Sequence, residues 1–407
     1  MSAHFNALTG QFLLSEQLIP AGKGQFYDLQ NGNIVFGDLL VPKLGKTLFD
    51  DATLDLNFAK NLSLTDSVSG DNLVTFSRAS SGTYVGSDGL IKTSPVNLLT
   101  YSDYSEVHTG TTAILQGTVE GPDGTFTAKA YERTSGSTTQ VQKLETTGEV
   151  GKDYTFSVWL RSPVAGTSVR FVVGSPFEFS QPQPLTTTWQ RYASTSLNND
   201  TNTLRAFVVL SDDGDVVELW GAQLEEGTTA TDYIPTQATI SGAPRFDHDP
   251  ATGESLGLLI EEARTNLVTY SDYSQVQGTT DAQLEGTAVA PDGTNTARRY
   301  SYPSLGLNSV TKITSNGVVG NDYTFSVYIR STGTASSAQL FVGDPGEPTN
   351  YSISTTWQRF SATKSNNGSN LVRGYVNLIN VGDEIEVWGA QIEEGSFPTS
   401  YLSLIHI

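Results

Sequence analysis

Apolar and polar positions alternate with a period of two along most of the chain. Tyr154, Phe156, Val158 and Leu160 fall on one side of a predicted strand, and Thr155, Ser157, Trp159 and Arg161 on the other. Leu54, Leu56 and Phe58 alternate with Asp55 and Asn57, which predicts a half-buried strand from Thr53, and Leu73–Phe76 predicts another. Arg205–Leu210 and Val216–Trp220 are apolar on both faces and read as central strands. Arg78–Val85 leads into the turn Ser87-Asp-Gly89, and Leu258–Ile260 reads as a short apolar strand. Gly121-Pro-Asp-Gly124, Gly151-Lys-Asp153 and Asp212-Asp-Gly-Asp215 are turns. Short strands, frequent turn signals and no helical period predict an all-β fold built of sandwiches.

One long pattern occurs twice. Asn97-Leu-Leu-Thr-Tyr-Ser-Asp-Tyr-Ser-Glu-Val107 returns 169 residues later as Asn266-Leu-Val-Thr-Tyr-Ser-Asp-Tyr-Ser-Gln-Val276. The offset is 168 for Thr187-Thr-Trp-Gln-Arg-Tyr192 against Thr355-Thr-Trp-Gln-Arg-Phe360. It stays so for Trp220-Gly-Ala-Gln-Leu-Glu-Glu-Gly227 against Trp388-Gly-Ala-Gln-Ile-Glu-Glu-Gly395, and Tyr233 and Tyr401 close the copies. The chain is therefore an internal duplication. The expected division is residues 97–236 for the first sandwich and 266–407 for the second. Residues 53–96 and 237–265 remain as a small β-element on either side of the first copy. Residues 1–52 are too few for a core of their own and read either as a docking arm or as a few strands packed on a neighbour.

Composition narrows the function classes. The 407 residues carry a net charge of −20, which argues against binding a phosphate backbone. With no cysteine, disulfides, thiolate zinc sites and a cysteine nucleophile are excluded. No apolar run approaches membrane-spanning length, so no membrane insertion is expected, and no signal peptide is read at the N-terminus.

Two stretches carry a resemblance. Arg78-Ala-Ser-Ser-Gly-Thr-Tyr-Val-Gly-Ser-Asp-Gly-Leu-Ile91, and Pro244-Arg-Phe-Asp-His-Asp-Pro250 with Gly257-Leu-Leu-Ile-Glu-Glu-Ala-Arg-Thr-Asn-Leu267, resemble segments of bacteriophage fibre or spike proteins of marine phages and cyanophages. The two copies are similar to the carbohydrate-binding jelly-roll modules of such fibres, with a galactose-binding-like fold. The resemblance runs from about residue 53 to the end. It implies a virion location, synthesis in the host cytoplasm with release by lysis, and a homotrimer. It also implies attachment to other virion proteins through residues 1–52, and host surface polysaccharide as partner. In that family the Arg-Ala-Ser-Ser and Pro-Arg-Phe-Asp parts are usually contiguous. Here the first sandwich stands between them, so residues 53–96 and 237–265 are expected to pack together as one split module.

The candidate chemistry is sparse. Trp159 and Arg161 share the polar face of their strand, as Tyr328 and Arg330 do in the second copy. An aromatic ring and a guanidinium there could stack on a sugar and hydrogen-bond its hydroxyls, unless loops cover the face. Trp189, Trp357, Trp220 and Trp388 read as core or strand-start anchors. The pairs Glu225-Glu226, Glu393-Glu394 and Glu261-Glu262 are adjacent in strands and point to opposite faces, so none forms a glycosidase pair alone. Asp212, Asp213 and Asp215, and Asp383 with Glu384, are candidate oxygen ligands for a structural calcium ion; no other cofactor is expected. Asp247, His248 and Asp249 read as a polar loop. His4, His108, His248 and His406 show no triad spacing. The expectation is a non-enzymatic virion component, most simply a tail fibre or spike whose sandwiches contact host glycans. The alternatives are a capsid decoration, head fibre or tail architectural protein that binds only other virion proteins, a polysaccharide depolymerase, and a secreted bacterial adhesin.

Overall fold

A computed structural model describes residues 55–403, apart from 72, 75, 77, 79, 107–111, 135–138, 177, 274–281 and 305–308. Before residue 55 it describes only the backbone of five strands. The chain forms two compact units, residues 1–75 and 76–407. The division falls after residue 75 rather than 52, so the 53–75 segment groups with the N-terminal unit.

In that unit the strands Ala3–Asn6, Gln11–Leu14, Gln25–Asp28, Asn33–Phe36 and Leu39–Val41 pair antiparallel in chain order. The strand expected from Thr53 is not found among the described residues. Instead Phe58–Asn61 make one helical turn. The reason is local capping: the Asn57 side chain accepts from the Lys60 N–H, and Leu62 closes the turn in the left-handed region. Asp66 then ties the loop together, accepting from the N–H groups of Asp55, Val68 and Ser69. Those bonds hold its carboxyl down at about 2, the Asp55 N–H foremost. Leu73, Val74 and Phe76 are not in a strand either.

The second unit is all-β and carries the two sandwiches. In the first, the strands Gln190–Asn198, Lys152–Arg161, Val216–Glu226, Ala128–Glu132 and Ile114–Val119 form one sheet in that order. Thr139–Thr147, Thr203–Leu210, Ser168–Val173 and Gln183–Pro184 form the other. Phe156, Val158, Leu160 and Leu219 meet Phe171, Leu204 and Val208 between the sheets. The second sandwich repeats the order: Gln358–Ser365, Asp322–Ser331, Glu384–Glu394, Ala297–Ser301 and Gln283–Ala288 in one sheet, with Ser309–Asn316, Leu371–Leu378, Ser337–Val342 and Glu347–Ser352 in the other. Phe325, Val327, Ile329 and Leu340 lie in its core.

The segments flanking the first sandwich meet each other. Val96–Asn97 pairs with Ser241–Gly242. The hairpin Thr83–Val85 with Ile91–Thr93 lies beside the hairpin Phe246–His248 with Ser255–Leu258, whose second strand starts three residues and ends two residues before the expected 258–260 strand. Val85 N–H donates to Asp247 at 2.7 Å, and Arg245 donates to the Thr83 carbonyl at 2.9 Å. His248 Nδ1 lies 3.0 Å from the Val85 carbonyl. Among the described residues no helix is long and apolar enough to cross a membrane.

Candidate functional site

The outer face of each five-stranded sheet is built by the closing motif. In the first copy Gly221 takes φ +65°, a conformation natural to glycine, and the pairing with Lys152–Arg161 shifts register at that point. A Cβ on Gly221 would stand 3.1 Å from Trp159 Cε3, so the bare backbone also makes room for the indole. The shift brings Trp220 opposite Trp159. Downstream, the chain returns over the sheet and is tied down by two buried side chains. Gln223 Oε1 accepts from Ile234 N–H at 2.7 Å, and Glu225 accepts from Thr231 N–H at 2.9 Å. The Asn97 amide adds a bond to the Ile234 carbonyl at 2.9 Å. That return segment delivers Tyr233, whose hydroxyl lies 2.7 Å from Ser102 Oγ.

The result is a three-ring cluster. Trp159 and Trp220 meet edge to face with centroids 5.4 Å apart, Trp159 and Tyr233 at 5.7 Å, and Trp220 and Tyr233 at 4.9 Å. All three are half-buried. The Trp220 indole N–H donates to Thr127 Oγ1 at 3.0 Å. Arg191 lies 4.6 Å over the Trp159 ring. Arg161 lies 4.6 Å over Trp189 and pairs with Glu218.

Alternation thus places Trp159 on the face the sequence indicated. Arg161, however, is ion-paired across the sheet to Glu218. Arg330 is likewise paired with Glu386 and lies 4.7 Å over Trp357. Trp189 and Trp357 stand immediately before the first residues of their strands, as strand-start positions, and are half-buried; Trp220 is half-buried too, within the central strand of its sheet. Trp388 alone of these is buried. In the sequence Tyr233 and Arg191 stand only as members of the repeat, and their recurrence as Tyr401 and Arg359 is the signal of their place in the cluster.

The second copy builds the same cluster. Tyr328 and Trp388 have centroids 5.7 Å apart, and Trp388 and Tyr401 4.5 Å. Trp388 N–H donates to Thr296, and the Tyr401 hydroxyl lies 2.7 Å from Ser271 Oγ. Here Trp388 and Tyr401 are each 3% exposed. Burial raises the Tyr328 hydroxyl above its usual pKa and pushes Tyr401 up to about 12.

The carboxylates have structural partners. Glu225 and Glu393 are buried in the return-loop network, while Glu226 pairs with Lys152. Glu261 pairs with Arg245 and Glu262 with Arg264. Asp215 accepts from the N–H of Asp212, Asp213 pairs with Arg133, and Asp383 accepts from Asn380 N–H. Among the described residues no group of three or more His, Cys, Asp or Glu side chains is gathered to hold a metal. Asp249 binds its own turn, at Ala251 and Thr252 N–H. His4, His108 and His406 lie outside the residues whose side chains are described.

No protein-family model matches the chain, and no curated protein matches it. Among solved structures it is similar to the CBM22-1–CBM22-2 tandem domain of Paenibacillus barcinonensis Xyn10C, at 9% identity and a TM-score of 0.25, covering 79% of this chain and 100% of that one. It is also similar to a CBM4 structure, at 12% identity and a TM-score of 0.23, covering 31% of this chain and 85% of that one. A third is the enzymatically active domain of bacteriophage CBA120 tailspike protein 4, at 13% identity and a TM-score of 0.25, covering 32% of this chain and 21% of that one.

Proposed function

We propose that this chain is a non-enzymatic glycan-binding component of a bacteriophage virion, a tail fibre or spike whose sandwiches contact host surface polysaccharide. The observation that carries the binding part is the half-buried Trp159–Trp220–Tyr233 cluster on an outer sheet face. Aromatic rings with hydroxyls and carbonyls at their edge suit a ligand that has both an apolar face and polar rim. The virion part rests on the sequence resemblance. In this reading residues 1–52 attach the chain to other virion proteins, and chains assemble as homotrimers. Several weak sites per particle then act through avidity. The function needs no cofactor and no membrane insertion, and the protein leaves its host by lysis.

A non-catalytic role is supported by the occupation of Glu225, Glu261 and Glu393 in structural networks. The intact oligomer is expected to give signals on a glycan array, without reducing-end release from the polysaccharides it binds. A blank array would favour the alternative of a head fibre, capsid decoration or tail architectural protein binding only virion proteins. Antibody against the chain is expected to decorate tails in electron micrographs of the particles. Decoration of heads would move the protein to the capsid, and undecorated particles would contradict the virion assignment.

A further inference from the structure

The two copies carry the same aromatic cluster, and the chain covers only one of them among the described residues. Over the second copy lies the 83–93 hairpin. Ile91 is buried against Ala288, Ala290, Trp388 and Tyr401, with Tyr328 and Trp357 packed alongside. Ile91 N–H donates to the Pro291 carbonyl at 3.0 Å, and Thr83 Oγ1 donates to the Tyr401 carbonyl. A Cβ at Gly293 would meet Leu90 Cδ1 at 3.5 Å, whereas one at the equivalent Gly124 would meet nothing within 4 Å. The first copy therefore has the same seat with the hairpin missing. This is why Trp220 and Tyr233 are half-buried where Trp388 and Tyr401 are buried.

The hairpin shows what such a seat accepts. It lays an aliphatic surface on the rings and points N–H and O–H donors at two main-chain carbonyls. In the first copy those acceptors correspond to the carbonyls of Pro122 and Tyr233. A second copy of the chain does not have its 83–93 hairpin to spare. Its own is held to its second sandwich and to Arg245 and Asp247. A pyranose meets the same requirements, with a C–H face to stack and hydroxyl donors around the ring. Charge selects among sugars. Arg161 is paired with Glu218, and Arg191 is bound to the Thr231 carbonyl and Ser157 Oγ. Burial first, and then the carboxylates of Asp103 and Asp123, raise the Tyr233 hydroxyl against the Ser102 hydrogen bond and the Arg191 charge, so the two carboxylates outweigh the one guanidinium at this rim. That rim disfavours an anionic sugar.

Resting on the glycan-binding reading above, we propose that only the first sandwich binds. It takes a neutral hexopyranose unit over Trp220 and Tyr233, beside Trp159, while the matching seat of the second sandwich is filled by the chain's own 83–93 hairpin.

The test is calorimetry of the full chain with neutral cello-, manno- and galacto-oligosaccharides and with oligogalacturonate. One neutral-sugar site per chain is expected. Trp220→Leu keeps apolar bulk but removes the aromatic face, and should weaken binding by about thirtyfold or more. Trp388→Leu should leave it unchanged. Asp123→Arg, at an exposed turn, is a second variant that does not disturb the core. It should let oligogalacturonate bind, and Asp292→Arg should not. Two equal sites per chain, loss of binding in Trp388→Leu alone, or wild-type binding of oligogalacturonate only would each overturn the inference while leaving glycan binding standing. Binding to none of the sugars would overturn both.

Discussion

Trp220 and Trp388 occupy equivalent positions in identical Trp-Gly-Ala-Gln contexts, yet they do different work. Trp388 is a buried part of a cluster closed by Ile91, while Trp220 faces partly outward. Truncating a buried Trp removes both transfer energy and packing, so Trp388→Ala is expected to cost about 3–5 kcal/mol. Trp220→Ala should cost about half as much, because part of its surface is already in water. Denaturant unfolding measures both, and equal losses would contradict the difference in covering. The closing tyrosines of the clusters give a pH signature. Burial, first among the causes, pushes both Tyr233 and Tyr401 up to about 12 from an ordinary 10.0. The folded state thus holds these protons more tightly than the unfolded one. Their contribution to stability is complete below pH 10 and is lost as the pH rises through 12. Absorbance titration of the folded chain should show these two tyrosines ionising late. If every tyrosine titrated at its ordinary value, the burial of Tyr401 would be contradicted.

At the scale of elements, the first sandwich reads as an insertion. Its two ends, Asn97 and Ser241, are paired across a two-residue ladder, and the segments on either side bind each other and, through Thr83 and Glu261, the second sandwich. Replacing residues 98–240 by a short hairpin turn should therefore leave a chain that still melts cooperatively. Loss of cooperative melting in that deletion would mean that residues 76–97 and 241–262 depend on the first sandwich. Much of this layout was legible in the sequence. The period of two placed Phe156 inside and Trp159 outside, and the duplication fixed the matching strand orders. What the sequence hid was long-range or finely local. Nothing in the 322–331 strand tells that Ile91, more than two hundred residues earlier, closes the face holding Tyr328. The pairing of Arg161 with Glu218 depends on cross-strand register, which alternation alone does not give. The 53–58 alternation imitates a strand, but the Asn57 side chain captures the Lys60 N–H and turns the chain into a helical turn instead.

At the scale of the molecule, duplication supplied two matching platforms, with Trp159 in one and Tyr328 in the other, and the hairpin decided their fates. One became an internal joint that fastens the 76–97 and 241–262 segments to the second sandwich. Over the other no such hairpin lies among the described residues. A net charge of −20 keeps such a protein soluble and works against acidic polymers, while stacking of a neutral sugar on indole needs no charge at all. The most direct measurement is a structure of the full chain with a neutral oligosaccharide bound. The account predicts a sugar ring over Trp220 and Tyr233, with the 83–93 hairpin still seated on Trp388 and Tyr401. A sugar on Trp388 with the hairpin displaced, or a sugar held away from both clusters, would contradict it.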